Sequence, residues 1–193
     1  MRELAILTFL TLDGVMQAPT SPDEDRSGGF NGGGWAAPHW DVVMAQVQQR
    51  AMSVPYDLLL GRTTYEQFAA SHRTSSMMNE ATKFVATSGS KPLTWDNSVR
   101  ITGNVAEEVA RLKTQAGPLL QVHGSWRLIQ TLLAHQLVDE FRLWTFPVIA
   151  GPGGKRLFGP DISPTNLTLV DSGVGSSGVT MGIYRRDGAA SDA

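Results

Sequence analysis

The sequence predicts an α/β protein built on a mostly parallel sheet with an antiparallel C-terminal edge. Three observations carry this reading. Short apolar runs closed by glycine or small polar residues alternate with amphipathic stretches as far as about residue 136. Two of those runs, Leu58 to Leu60 and Leu119 to Val122, pass through a glycine into a helix start that carries Ser or Thr. Beyond Val138 the pattern is strand alone, which suits an antiparallel edge.

Each element has its own signal. Leu4 to Leu12 is a first, central strand, and Asp13-Gly14 closes it with a turn. Val15 to Gly34 is a loop rich in Gly, Pro, Asp and Ser, of a length that usually serves function. A helix is predicted from about residue 39 to Met52, opened by Asp41, with Val43, Val47 and Ala51 on one face. Asp57 to Gly61 is a buried second strand, and its helix runs to about Ala70 with Thr63 and Thr64 at the cap and first turn. His72 to Met78 reads as polar and irregular, Lys83 to Ser88 as a third strand and Val99 to Thr102 as a short one. Asn104 caps a helix to about Gln115, with Glu107 and Glu108 near its positive end and Arg111 and Lys113 near its negative end. The strand at Leu119 leads through Ser125, read as an N-cap, into a helix to about Gln136 with a stripe of Leu128, Ile129, Leu132 and Leu133. Val138 to Val148 alternates as a long strand, open to either a core place or an interface. Leu167 to Gly173 and Val179 to Arg185 form a closing hairpin, so that one domain covers 1–186 and a disordered tail covers 187–193.

Composition narrows the function. The 193 residues, 41% of them hydrophobic, suffice for one domain with a sizeable core. A formal charge of −2 without a basic run gives no nucleic-acid surface. No apolar run is long enough for a membrane span, and with no cysteine the chain is expected in the cytoplasm. His39, His72, His123 and His135 are scattered, so no metal is expected.

The two strand–glycine–helix corners point toward phosphate. A helix N-terminus presents N–H groups and a partial positive charge, and Arg62 adds a planar donor fork. Two such corners suit a ligand with several phosphates, hence a dinucleotide. A plain capped helix after a core strand is the competing explanation of each.

Thr11-Leu12-Asp13-Gly14-Val15-Met16, Leu60-Gly61-Arg62-Thr63-Thr64-Tyr65, Val122-His123-Gly124-Ser125 and Pro147-Val148-Ile149-Ala150-Gly151 through Lys155-Arg156-Leu157-Phe158 occur in that order. With these motifs the chain resembles the dihydrofolate-reductase-like family that includes the reductase domain of bacterial riboflavin biosynthesis. The resemblance implies a three-layer fold with helices on both faces of the sheet, NADPH as hydride donor and a homodimer. It implies that Gly61, Arg62, Thr63 and Thr64 hold the adenosine-side phosphates, and that Thr87 and Ser88 lie beside the adenine. By the same resemblance Gly124, Ser125 and Trp126 take the pyrophosphate, and Leu10, Val15 and Met16 border the nicotinamide. His123 stands where many relatives carry glycine, and is either part of that corner or a strand-end residue.

For chemistry, Asp41 lies near the place of the family's substrate-orienting acid, and is equally suited to capping a helix. Asp13 is the second candidate acid, or a turn-former before Gly14. Trp35, Trp40, Tyr65 and Phe68 form either a wall for a planar heterocycle or core. Arg156, with Lys155, could hold a substrate phosphate or be a solvated turn charge. The expected activity is hydride transfer from NADPH to a small heteroaromatic or imine-type acceptor, similar to 5-amino-6-(5-phosphoribosylamino)uracil reductase. Dihydrofolate reductase activity, and a non-catalytic nucleotide-binding protein on the same fold, are the alternatives.

Overall fold

A computed structural model describes residues 1–41, 45, 49, 52–71 and 76–187. The strands are β1 (Leu4–Thr11), β2 (Tyr56–Gly61), β3 (Lys83–Ala86), β4 (Ser98–Ile101), β5 (Leu119–Val122), β6 (Glu140–Phe146), β7 (Leu167–Val174) and β8 (Thr180–Arg186). The helices are α1 (Arg62–Ser71), α2 (Ser76–Glu80), α3 (Val105–Thr114) and α4 (Trp126–Ala134). The strands form one eight-stranded sheet in the order β4-β3-β2-β5-β1-β6-β8-β7. The pairs β4–β3, β3–β2, β2–β5 and β5–β1 are parallel, and β6–β8 and β8–β7 are antiparallel.

By its contacts the chain clusters into two compact units, residues 1–6 with 54–139, and residues 7–53 with 140–193. The first unit has a parallel core. Leu58, Leu59 and Leu60 on β2 and Leu120 and Val122 on β5 are fully buried, as continuous apolar strands require. Leu128, Ile129, Leu132 and Leu133 give α4 its buried stripe. Asn104 Oδ1 accepts the Ala106 and Glu107 N–H groups, so α3 has the cap its sequence predicts. At the amino ends of these strands Arg2 and Asp57 form a buried ion pair, while the other Asp57 oxygen accepts the Thr82 N–H at 2.9 Å. Lys83 is fully buried as well. Its ammonium donates to the carbonyls of Asn79 and Asp96 at 2.7 and 3.0 Å and lies 4.6 Å from the Trp95 ring centre, and burial pushes its pKa down.

The second unit holds an aromatic core in which Trp144 and Phe146 of β6 are fully buried with Leu7, Trp35 and Val179. The strand read from Val138 to Val148 is therefore an interior strand between β1 and β8, and that resolves its two readings in favour of core. One edge of the sheet is β7, a mostly exposed strand with an irregularity between Leu169 and Asp171. Two expectations change. Residues 76–78, read as irregular, belong to the short helix α2, while 72–75 lie outside the described residues. Of the helix expected over 39–52, Pro38 and His39 form a 3-10 turn, Ala45 donates its N–H to the Asp41 carbonyl, and Val43, Val47 and Ala51 lie outside the described residues. The tail beyond 187 lies outside them too. Among the described residues, no helix is long and apolar enough to cross a membrane.

Candidate functional site

The two glycine corners meet. β2 and β5 are parallel neighbours, so their carboxyl ends bring the start of α1 beside the start of α4. The Ser125 hydroxyl oxygen accepts the Gly61 N–H at 2.7 Å and donates to Thr64 Oγ1 at 2.7 Å, strapping one corner to the other. A Cβ on Gly61 would lie 3.0 Å from both Cβ and Oγ of Ser125, so a side chain here would have to push Ser125 away. Gly124 has φ +119°, which side-chain-bearing residues avoid.

Ser125 itself corrects the sequence reading. It occupies the N-cap position of α4 but is left-handed, with φ 67° and ψ 67°, and makes no capping bond. N-cap side chains reach the helix N–H groups from the extended region, and the left-handed backbone sends this hydroxyl to Gly61 and Thr64 instead.

Around the strap, Thr63 is exposed, Thr64 buried, and Gly124, Ser125 and Trp126 half-buried. His123 is half-buried, with Nε2 2.8 Å from Gln121 Oε1 and its ring near Tyr56 and Phe68. Thr87, half-buried, and Ser88, exposed, follow β3, and the Thr87 hydroxyl accepts the Gly89 N–H. Arg62 serves as a latch: Nε donates to Glu66 Oε1, Nη1 to the Lys91 carbonyl and Nη2 to the Pro92 carbonyl, at 3.0, 3.0 and 3.2 Å. The hydrogen bonds and charges of Lys91 and Arg62 hold the Glu66 carboxyl below its ordinary value. A cavity of about 310 Å³ between α1 and residues 91–94 borders this latch.

The acids belong to the second unit and differ in role. Asp13 accepts the Thr11 hydroxyl at 2.6 Å, the Ala150 and Gly151 N–H groups at 3.0 Å each and Arg156 Nη2 at 3.2 Å. The Thr11 bond and the two backbone N–H groups, opposed by burial, bring its carboxyl down to about 2. Asp13 is thus an anion at neutral pH, an acceptor that folds residues 150–156 onto the end of β1. Its contribution is present above the ordinary carboxylate value and is lost as pH falls from there through about 2. Asp13→Asn is expected to cost about 1–3 kcal/mol and to flatten the acid limb of a urea-stability profile.

Asp41 Oδ2 accepts the Ser176 hydroxyl at 2.6 Å and the Ser177 N–H at 3.0 Å, so this carboxylate holds the β7–β8 turn. Beside it stands an aromatic group. The Phe9 ring centre lies 5.7 Å from Trp40, 6.1 Å from Trp144 and 5.4 Å from Phe146, with His39 6.1 Å from Phe146. Trp40 is 43% exposed, whereas Trp35 is buried and donates its indole N–H to the Gln17 carbonyl. The four aromatic residues expected to share a wall divide between the units. Tyr65 lies in the first unit, 1% exposed, with its hydroxyl accepting the Trp95 N–H, and Phe68 packs edge-on to His123 there.

Leu10, Val15 and Met16 are buried, and Val15 packs with Ala18 and Phe30. Sequence reasoning missed Gln17, whose buried amide donates to the Asp25 and Ser27 carbonyls while its oxygen accepts the Lys155 N–H. A lone glutamine has no periodic or motif signal that could have shown this. Among the described residues no three His, Asp or Glu side chains converge on a metal position.

The family model of the RibD C-terminal domain matches residues 2–181. The uncharacterized protein YyaP of Bacillus subtilis (strain 168) is 38% identical over 93 residues, 48% of this chain. That match spans about half the length of the relative, 49%. A Shewanella sp. PV-4 protein, provisionally named a riboflavin biosynthesis protein, superimposes with a TM-score of 0.67 at 20% identity, covering 97% of this chain and 99% of its own. Dihydrofolate reductase from Enterococcus faecalis, solved with NADP(H) and RAB-propyl, gives a TM-score of 0.64 at 16% identity, covering 96% of each chain. These two likenesses show a dihydrofolate-reductase-like fold. With its sheet order, its paired corners and a family match over nearly its whole length, the chain belongs to the RibD C-terminal domain family, a family of reductase-type fold.

Proposed function

We propose that the protein is an NADPH-dependent reductase that transfers a hydride to a small heteroaromatic or imine-type acceptor, acting in the cytoplasm as a homodimer. The observation that carries this reading is the strap from the Gly61 N–H through Ser125 to Thr64, which fixes two helix starts side by side. Helices of ten and nine residues begin there, and their N-termini suit phosphate oxygens. The close approach of Ser125 at Gly61 and the positive φ at Gly124 favour glycine in the cradle. The residues present therefore fit a dinucleotide, with Gly61 to Thr64 on the adenosine-side phosphates, Gly124 to Trp126 on the pyrophosphate, and Thr87 and Ser88 toward the adenine. When bound, the nicotinamide supplies the hydride.

The chain's own residues orient and exclude. Buried Leu10, Val15 and Met16 support the backbone beside the nicotinamide, and Asp41 is the candidate to orient the acceptor and its proton. Asp13, ionised, keeps residues 150–156 in place. The exposed β7 edge, with Leu169, Val170 and Val174, offers an open strand for a second copy.

The test is a titration of the purified protein with NADPH and with NADH, followed by quenching of tryptophan fluorescence. Saturable binding that prefers NADPH, weakened about tenfold or more by Ser125→Ala and by Thr64→Val, is expected, since each variant severs the strap and about 1.4 kcal/mol corresponds to tenfold. Binding of neither nucleotide would sink the reading.

A further inference from the structure

We propose that the acceptor is an electroneutral planar heteroaromatic compound without a phosphate, held against Trp40 and Phe9. The inference rests on the reductase reading and narrows its acceptor. It starts from where the second unit spends its cations. Residues 7–53 and 140–193 carry seven Lys and Arg against ten Asp and Glu. Among the described residues, Arg26 pairs with Asp23, Arg142 and Arg185 with Glu140, Lys155 with Asp25, and Arg156 with Asp13.

Lys155 and Arg156 are the pair the sequence offers for a substrate phosphate, and both already have anionic partners. The Lys155 ammonium donates to Asp25 Oδ2 at 2.6 Å and to the Ser27 hydroxyl at 2.7 Å. Burial works to raise the Asp25 carboxyl, and its bonds from Lys155 and Ser27 outweigh that, leaving it below its ordinary value. Arg156 donates from Nε to the Asp13 carbonyl at 3.1 Å and from Nη2 to the Gly151 carbonyl at 3.2 Å, besides its pairing with the Asp13 carboxylate. A phosphate drawing on either cation would exchange one anion for another and strand a carboxylate nearby. Its attraction to the cation is offset by that carboxylate, and the excess of acids repels it.

The apolar side of the balance favours a ring. Trp40 is 43% exposed, an unusual position for so large an aromatic residue, and it packs at 5.7 Å on a half-buried Phe9 that is itself backed by Phe146 and Trp144. A planar molecule laid on this surface buries apolar area and gains offset or edge contacts without needing a cation. Asp41, at the next position to Trp40, adds a carboxylate that suits ring N–H donors and opposes phosphate.

Two probes with one ring and a single difference test this: riboflavin and riboflavin 5′-phosphate, titrated calorimetrically into the whole protein. The binding that counts is the component abolished by Trp40→Ala, which separates this surface from the phosphate corners. Riboflavin is expected to bind about tenfold or more tighter than its phosphate. Asp25→Asn, which releases Lys155, is expected to strengthen the phosphate's binding severalfold and leave riboflavin unchanged. Equal or tighter binding of the phosphate by the unaltered protein overturns the proposal. So does failure of either ring to bind a protein that binds NADPH, in which case the reductase reading stands. Preference for riboflavin in a protein that binds no NADPH upholds the surface and removes the reductase reading.

Discussion

Replacing Asp57 by alanine is expected to destabilise the fold by about 3–5 kcal/mol, the usual cost of stripping one partner from a buried ion pair. The Arg2 side chain is 4% exposed and that of Asp57 12%. Arg2 also donates Nε to the Pro118 carbonyl at 2.9 Å and its backbone N–H to the Lys113 carbonyl, and its guanidinium lies 5.5 Å from the Phe84 ring centre. A charge held on so many sides cannot swing out to water when Asp57 is removed. The Thr82 N–H loses its acceptor at the same time. Against a typical total of about 5–15 kcal/mol, this loss is large. Urea unfolding followed by circular dichroism measures it, and a loss under 1 kcal/mol would show that Arg2 finds water or another anion. The double variant Arg2→Met with Asp57→Leu is expected to recover most of the loss, because two apolar residues leave no buried charge behind. This pair sits at the amino ends of β1, β2 and β5, opposite the glycine corners, so nucleotide affinity per folded molecule is expected to stay unchanged.

Gly124→Val should do the reverse, removing nucleotide binding while leaving most of the fold. At φ +119° a side-chain-bearing residue is strained by about 1–3 kcal/mol, more so when β-branched. The strain is conformational at its root, since a Cβ here would meet Thr64 at an ordinary 3.8 Å. The backbone relieves it by rotating toward an allowed φ, which drags Ser125 off the Gly61 N–H and breaks the strap. An affinity loss of about a hundredfold for NADPH, some 2.7 kcal/mol, is expected, with a urea midpoint consistent with a folded chain. Gly61→Ala reaches the same outcome by another route, because its Cβ would press on Ser125 at 3.0 Å. Undiminished NADPH binding by both variants would mean that phosphate is held elsewhere.

The local grammar of this chain was legible because it depends on neighbours in sequence. Apolar runs ending in glycine marked β2 and β5, and the 3.6-residue stripe of Leu128, Ile129, Leu132 and Leu133 marked α4. Asn104, three residues before Glu107, announced the cap of α3, and alternation in the last third of the chain gave the antiparallel strands. Motif order alone sufficed for the fold family. What the tertiary structure decided were the partners of polar side chains, which depend on residues far away in sequence. Ser125 looked like a cap and became a strap because Gly61, 64 residues distant, brings it an N–H. Arg62 was legible as a donor beside the corner, and its bonds to the carbonyls of Lys91 and Pro92 were not. Asp13 looked like a candidate proton donor until the N–H groups of Ala150 and Gly151 closed around it and fixed its charge. Sequence periodicity reports which face of an element avoids water. The charge and direction of a polar group follow from the acceptors and donors that folding brings to it, and these only the assembled chain supplies.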